Sequence, residues 1–262
     1  TWISPEIALG GFHSKAGWLF FTLVALAAVW LARRWAPFQA AVPSGPDDHA
    51  AAPNRVAAYL LPLLGILAVA LVTGLFTQGF DAAYPLRVIV ATALLYAYRR
   101  GYPRLDLAGG WLAVAVGLAV AALWIAAFPR TDPEAGAALR AGVDALPAPL
   151  AAAWVACRLL GAVVTVPLAE ELAFRGYLMR RLVARDFTEL PFGAATFLAL
   201  VASSLAFGLL HSQWLLGTTA GMAYGWLAIR RGRLSDAVIG HATTNAAIAG
   251  YALVMADWAL LT

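Results

Sequence analysis

Residues 150–182 read LAAAWVACRLLGAVVTVPLAEELAFRGYLMRRL. This stretch is longer than the roughly 20 apolar residues a helix needs to cross a bilayer. It runs on into Arg180, Arg181 and Arg185 and carries two carboxylates, Glu170 and Glu171, inside it. The pattern predicts one long membrane-crossing helix. Working outward, further apolar runs occupy Trp18 to Ala32, Val56 to Gln78, Tyr84 to Tyr98, Gly109 to Phe128, Phe192 to His211, Trp214 to Ile229 and Asp236 to Trp258. The fold class expected is all-α, a polytopic membrane protein with about eight transmembrane helices. Residues 129–149, with prolines, glycines and mixed charges, are expected to form a loop carrying a short surface helix. Residues 37–55 hold Pro37, Pro43, Pro46, Asp47, Asp48 and Pro53 and read as a polar linker. The expected division is therefore 1–55, an N-terminal transmembrane segment with its linker, and 56–262, a membrane-embedded core.

Composition supports the same solvent. Of 262 residues, 62% are hydrophobic and 12% charged, and the mean hydropathy is +0.77. Soluble domains carry about 25% charged residues, so an ordinary soluble domain, a disordered chain and a disulfide-rich secreted module are excluded. The single Cys157 allows neither an internal disulfide nor a thiolate metal cluster. The net charge of +4 comes from 17 arginines and one lysine, Lys15. These arginines stand at the ends of apolar runs, which reads as topology rather than a nucleic-acid surface.

Arg33/Arg34, Arg55, Arg99/Arg100/Arg104, Arg175 to Arg185 and Arg230/Arg231/Arg233 all fall on one side if eight spans alternate. By the positive-inside rule both termini are then extracytoplasmic. No internal repeat is visible, which weighs against an inverted-repeat transporter. The chain opens on Thr1 and shows no signal peptide, so a processed or excised piece is expected.

Few residues inside the runs are costly in a bilayer: Arg158, Glu170, Glu171, Arg175, His211, His241 and Asn245. Such groups mark function and need partners. Glu171 and Arg175 stand at i, i+4 in the favourable acid-first order and are expected to pair. Glu170 lies about 100° further round the helix, over Phe174. It is left without a local cation, as suits a general base. Phe207 and His211 are i, i+4, and so are His241 and Asn245. A carboxylate, two imidazoles and an amide fit around a water and a peptide carbonyl. The carboxylate and one imidazole would activate the water, and the other imidazole and the amide would donate to the oxyanion.

Glu170-Glu171-x-x-x-Arg175, Phe207-x-x-x-His211 and His241-x-x-x-Asn245, in this order on successive late helices, resemble the motifs of the CAAX-protease and bacteriocin-processing family of intramembrane endopeptidases. The resemblance covers about residues 150–250. It implies an eight-helix fold and cleavage near the C-terminus of a membrane-associated protein or peptide substrate. It further implies that Glu170 and His211 act on water, that His241 and Asn245 stabilise the oxyanion, and that Glu171 with Arg175 supports the site. No cofactor is implied.

Tyr84-Pro85-Leu86-Arg87 with Arg99-Arg100, and Gly11-Phe12-His13-Ser14, are similar to a subgroup associated with exosortases. They imply a sorting-signal system as partner, the bacterial inner (cytoplasmic) membrane as location, and the protease half of a fusion. His13 itself is read as a surface residue before a span.

Three rival readings stay open on the residues alone. Glu170, His211 and His241 could ligate zinc with water in the fourth position, although the His-Glu-x-x-His helix motif is missing and Asn245 is a poor zinc ligand. Cys157 could act as a nucleophile if the helix broke at Pro167. The chain could also be a non-catalytic scaffold or immunity protein.

The position of the site along the spans is awkward. His211 falls at the far end of a run that starts near Pro191. Either the sixth span starts later, after a surface stretch near 186–195, or the helices are tilted and broken, with a kink at Pro167. A site in the inner half of the membrane, open to water by a cavity, is expected.

Overall fold

The computed structural model describes residues 23–24, 54–77, 80–102, 110–127 and 133–262. The elements are α1 (Arg55–Thr73), α2 (Pro85–Ala97), α3 (Trp111–Ala127), α4 (Pro133–Asp144), α5 (Ala148–Arg181), α6 (Phe197–Gly208), α7 (Trp214–Arg231) and α8 (Leu234–Val254). Among the described residues the chain is all-α. The expected first span, Trp18 to Ala32, lies outside them apart from Leu23 and Val24, which are helical. So does nearly all of the 1–55 segment.

Local chemistry sets the helix starts. The Asn54 side chain accepts from the Ala57 amide at 3.1 Å, and Thr196 accepts from the Ala199 amide at 3.2 Å, each satisfying a donor the first turn leaves free. Pro85 begins α2, where a missing N–H costs nothing. α4 is the short helix expected within 129–149.

By length and composition α1, α5 and α8 can each cross a membrane, whereas α2, α3 and α6 are apolar but shorter. The sixth run starts later than the apolar pattern, as one of the two alternatives expected. Residues 182–191 turn, Phe192–Ala194 form a single 3₁₀ turn, and the helix starts only at Phe197. Arg180 is the reason. Read from sequence as a boundary cation, it is buried, and it donates to the carbonyls of Leu190 (2.8 Å), Thr188 (3.1 Å) and Gly176 (3.2 Å). It thereby ties the connecting stretch to α5. The last run is shifted likewise: α8 starts at Leu234 and ends at Val254, and Trp258–Leu261 form a separate 3₁₀ turn.

α5 sits at the centre, touching α1, α2, α6 and α8, while α3 lies along α8 and α6 along α7. Small residues allow these approaches. A side chain at Gly117 would meet the Gly240 backbone and Thr243 across the α3–α8 seam. Thr244 closes that seam, donating to the Gly117 carbonyl at 2.9 Å. α7 and α8 are joined only by Gly232 and Arg233, with Gly232 left-handed at φ +66°. Asp236, fully buried in the first turn of α8, meets Arg233 at 2.7 Å and Arg231 at 3.5 Å.

The distribution of polarity is inverted relative to a soluble protein. Ile89, Leu118, Leu123, Phe197 and Leu198 point outward, whereas Glu171, Arg175 and Asp236 are fully enclosed. That is the arrangement a lipid solvent demands.

Candidate active site

α5 does not remain a regular α-helix. Gly161–Thr165 and Leu172–Leu178 are π-helical turns flanking the α-helical Val166–Glu171 segment. Pro167 accounts for part of this, since its ring would crowd the carbonyl one turn back and it has no N–H to give. The Val166 amide bonds back to the Gly161 carbonyl. The Ala162 carbonyl therefore receives neither that amide nor one from Pro167. The Asn245 side chain fills the vacancy from α8, donating to the Ala162 oxygen at 2.7 Å. Wide turns of this kind recur at functional sites, and these two bracket Glu170 and Glu171.

The expected Glu171–Arg175 pair is present at 3.2 Å, with both side chains 0% exposed. Arg175 also donates to the Gly221 carbonyl at 2.7 Å. That approach is open because residue 221 has no side chain, as a Cβ there would press on the guanidinium. The cation lies 4.4 Å from the centre of the Phe207 ring, a contact that gains strength when desolvated.

His241 stands between the two carboxylates. Its Nδ1 is 3.0 Å from Glu171 Oε1, and its Nε2 is 3.8 Å from Glu170 Oε2. Nδ1 donates to the carboxylate, which fixes the ring and aims Nε2 at Glu170. Tyr224 stacks on the imidazole at 4.7 Å and 14°, and Phe207 meets it edge-on at 5.5 Å. Glu170 is buried, and its Oε2 has no hydrogen-bond partner among the described residues.

His211 follows α6 rather than lying within it, in the turn before α7. Its Nδ1 donates to the Phe207 carbonyl at 3.0 Å, the i, i+4 relation read from sequence. That bond leaves Nε2 as the ring nitrogen without a hydrogen-bond partner among the described residues, on a side chain that lines the site cavity. Trp124 of α3 meets it edge-on at 6.0 Å.

Glu170, His211, His241 and Asn245 all line one cavity of about 200 Å³. Glu171 and Arg175 lie behind it. Cys157 is half-buried and is not among the lining residues. Sequence reading had no signal for Tyr224, Trp124 or Thr244, which also line the cavity and come from three different helices. It marked Arg158 as costly without giving it a task. It also gave Glu171 only Arg175 as partner, and the structure adds His241. Among the described residues no three His, Cys, Asp or Glu side chains converge closely enough to hold a metal ion.

Residues 152–247 match the protein-family profile described as Type II CAAX prenyl endopeptidase Rce1-like. No curated protein and no solved structure matches the chain. The matched stretch runs from α5 into α8 and contains Glu170, Glu171, Arg175, His211, His241 and Asn245, while Trp124 of α3 lies outside it. It supports the CAAX-protease and bacteriocin-processing family. With its apolar helices the chain is accordingly an integral membrane protein, and by the match it is a peptidase, a hydrolase of peptide bonds.

Proposed function

We propose that the chain is an intramembrane endopeptidase that cleaves near the C-terminus of membrane-associated proteins or peptides with water activated by Glu170 and His211. The observation that carries this is Glu170, whose Oε2 has no hydrogen-bond partner among the described residues and which lines a cavity shared by His211, His241 and Asn245. Each neighbouring group already has a partner: Arg175 holds Glu171, and Glu171 holds His241. Glu170, which lines the cavity while Glu171 does not, is the carboxylate placed to meet a water there.

In this reading Glu170, with His211 Nε2 positioning the water, takes one proton as the water oxygen bonds to the scissile carbon, and gives that proton to the leaving amine as the C–N bond breaks. His241, held by Glu171, and the second amide hydrogen of Asn245 stabilise the oxyanion.

The reading uses no metal and no cofactor. It includes eight transmembrane helices with 1–55 as an N-terminal segment before a 56–262 core, both termini extracytoplasmic, in a bacterial inner membrane. The arginine clusters support that orientation. The Tyr84–Arg87 and Arg99–Arg100 stretches support an exosortase-linked sorting system as the source of substrate.

The test compares C-terminal peptides of the membrane proteome, by mass, from cells carrying the wild type or Glu170→Gln. A set of C-termini trimmed only by the wild type is expected. Identical C-termini, with purified Glu170→Gln as active as the wild type, would end the proposal. Full activity after exhaustive chelation is expected, and its loss would restore the zinc reading.

A further inference from the structure

We infer that Arg158 is a carboxylate-binding subsite at the far end of the cavity, taking the free C-terminal carboxylate of the peptide substrate. The inference rests on the peptidase reading and adds to it where the substrate ends.

Arg158 lies in the first part of α5, inside an apolar helix where a cation is expensive and marks a task. It lines the same cavity as Glu170, His211, His241 and Asn245. Among the described residues no carboxylate forms an ion pair with it. Its guanidinium lies 4.4 Å from the centre of the Tyr84 ring, and it donates through Nη2 to the backbone carbonyl of Leu261.

These two contacts hold the cation without neutralising it. A ring face attracts the charge, and one carbonyl takes one donor. A guanidinium has five N–H donors in a planar fork, so several remain for a ligand. The bound carbonyl is itself informative, because a peptide oxygen already occupies this cation at the cavity wall. A terminal carboxylate offers the same kind of oxygen with a full negative charge and a second acceptor, and it suits the fork bidentately.

Position sets the reach. Arg158 precedes Glu170 by twelve residues, about 18 Å at the rise of an α-helix. An extended peptide covers about 3.3–3.6 Å per residue. A fully extended substrate with its scissile carbonyl at Glu170 and its terminus at Arg158 therefore spans that distance with about five residues beyond the cut, and with fewer where the wide Gly161–Thr165 turn shortens it.

The Leu261 turn makes this end of the cavity a built feature. Leu261 is buried with Tyr84, Val88 and Trp154 in one apolar cluster. The cation is thereby held against a packed wall rather than left free to snorkel away.

The experiment uses the purified full chain in detergent and two internally quenched pools of apolar peptides, identical except for a C-terminal carboxylate or carboxamide. The wild type is expected to favour the acid pool in kcat/KM by roughly ten- to hundredfold, as a charge-assisted hydrogen bond allows. In Arg158→Gln the acid-to-amide ratio should fall to about one, chiefly through KM, and the fragments that the wild type releases from the acid pool should be about five residues long. Arg158→Lys keeps the charge, loses the fork, and should retain part of the preference; it also serves if Arg158→Gln does not fold.

A wild type indifferent to the terminal group, or an Arg158→Gln enzyme with undiminished preference, overturns the subsite. If the wild type cleaves neither pool, the peptidase reading is what fails. The subsite is then read by thermal stabilisation of the Glu170→Gln protein with the same two pools. Stabilisation by acids alone, abolished by adding Arg158→Gln, supports it, and equal stabilisation by both pools overturns it.

Discussion

Helices α4 and α5 follow one another in the chain, and each links an arginine to an acid four residues away. In α4 the pair is Arg140 and Asp144, at 2.6 Å with side chains 51% and 55% exposed. In α5 it is Glu171 and Arg175, at 3.2 Å with both side chains 0% exposed. The tighter pair is worth less. Exposed pairs of this spacing contribute about 0.3–0.5 kcal/mol because water competes for both ends. The enclosed pair has no such competitor, so loss of either partner strands a charge. Spacing tells which groups can meet, and solvent decides what the meeting is worth. Beside the enclosed pair stands Glu170, of the same residue type as Glu171 and one position away, with no arginine of its own and with the His241 Nε2 at 3.8 Å. On the proposed function that asymmetry separates support from chemistry.

The largest test of the asymmetry is Glu170→Gln. Loss of the base should lower kcat by about 10²–10⁴-fold while the protein stays folded, as judged by an unchanged melting temperature. Next come Glu171→Ala and Arg175→Ala, each expected to destabilise by about 3–5 kcal/mol. The double variant should be milder than the sum of the two, and strictly additive losses in melting temperature would contradict the pairing. Because Glu171 also holds His241 Nδ1, Glu171→Ala should lower kcat in its surviving folded fraction more than Arg175→Ala does.

Asn245→Ala comes third. Loss of an oxyanion donor should lower kcat by about 10²–10³-fold with little change in KM. A normal kcat with reduced thermal stability would instead limit Asn245 to its bond with Ala162. Pro167→Ala sharpens the same point. It supplies an amide to compete for the Ala162 carbonyl and removes a poor helix former, so stability should hold or rise while kcat falls by less than in Asn245→Ala. Smallest is Arg140→Ala, expected to change stability by about 0.3–0.5 kcal/mol and to leave cleavage unaffected.

Much of this was legible in the sequence wherever the deciding relation was local. The acid-first spacing gave the Glu171–Arg175 pair, and the Phe207–His211 spacing gave their adjacency, though not the bond from His211 Nδ1 to the Phe207 carbonyl. The apolar run through 150–182 gave the central helix. Relations between distant segments were not legible. Glu171 and His241 are 70 residues apart, and Asn245 and Ala162 are 83 apart. No pattern in either segment names its partner. The late start of α6 stood as one of two alternatives, because an apolar run looks alike in a helix and in a packed connection. It took the fold of Arg180 onto three carbonyls to show where the helix ends. Pro167 was read as a place to kink, whereas the chain absorbs it by widening its turns and borrowing a donor from α8.

The Gly232–Arg233 connection between α7 and α8 has a mechanical consequence. Short surface turns usually accept inserted residues, and this one should not. Each added residue advances a helix by about 1.5 Å and turns it by about 100°. His241 stacks face to face on Tyr224 across that turn at 4.7 Å, and Asp236 bridges its two ends. The two helices thus mesh as gears cut on one short shaft. A single extra tooth would swing His241 and Asn245 away from Glu170 without altering any residue of the site.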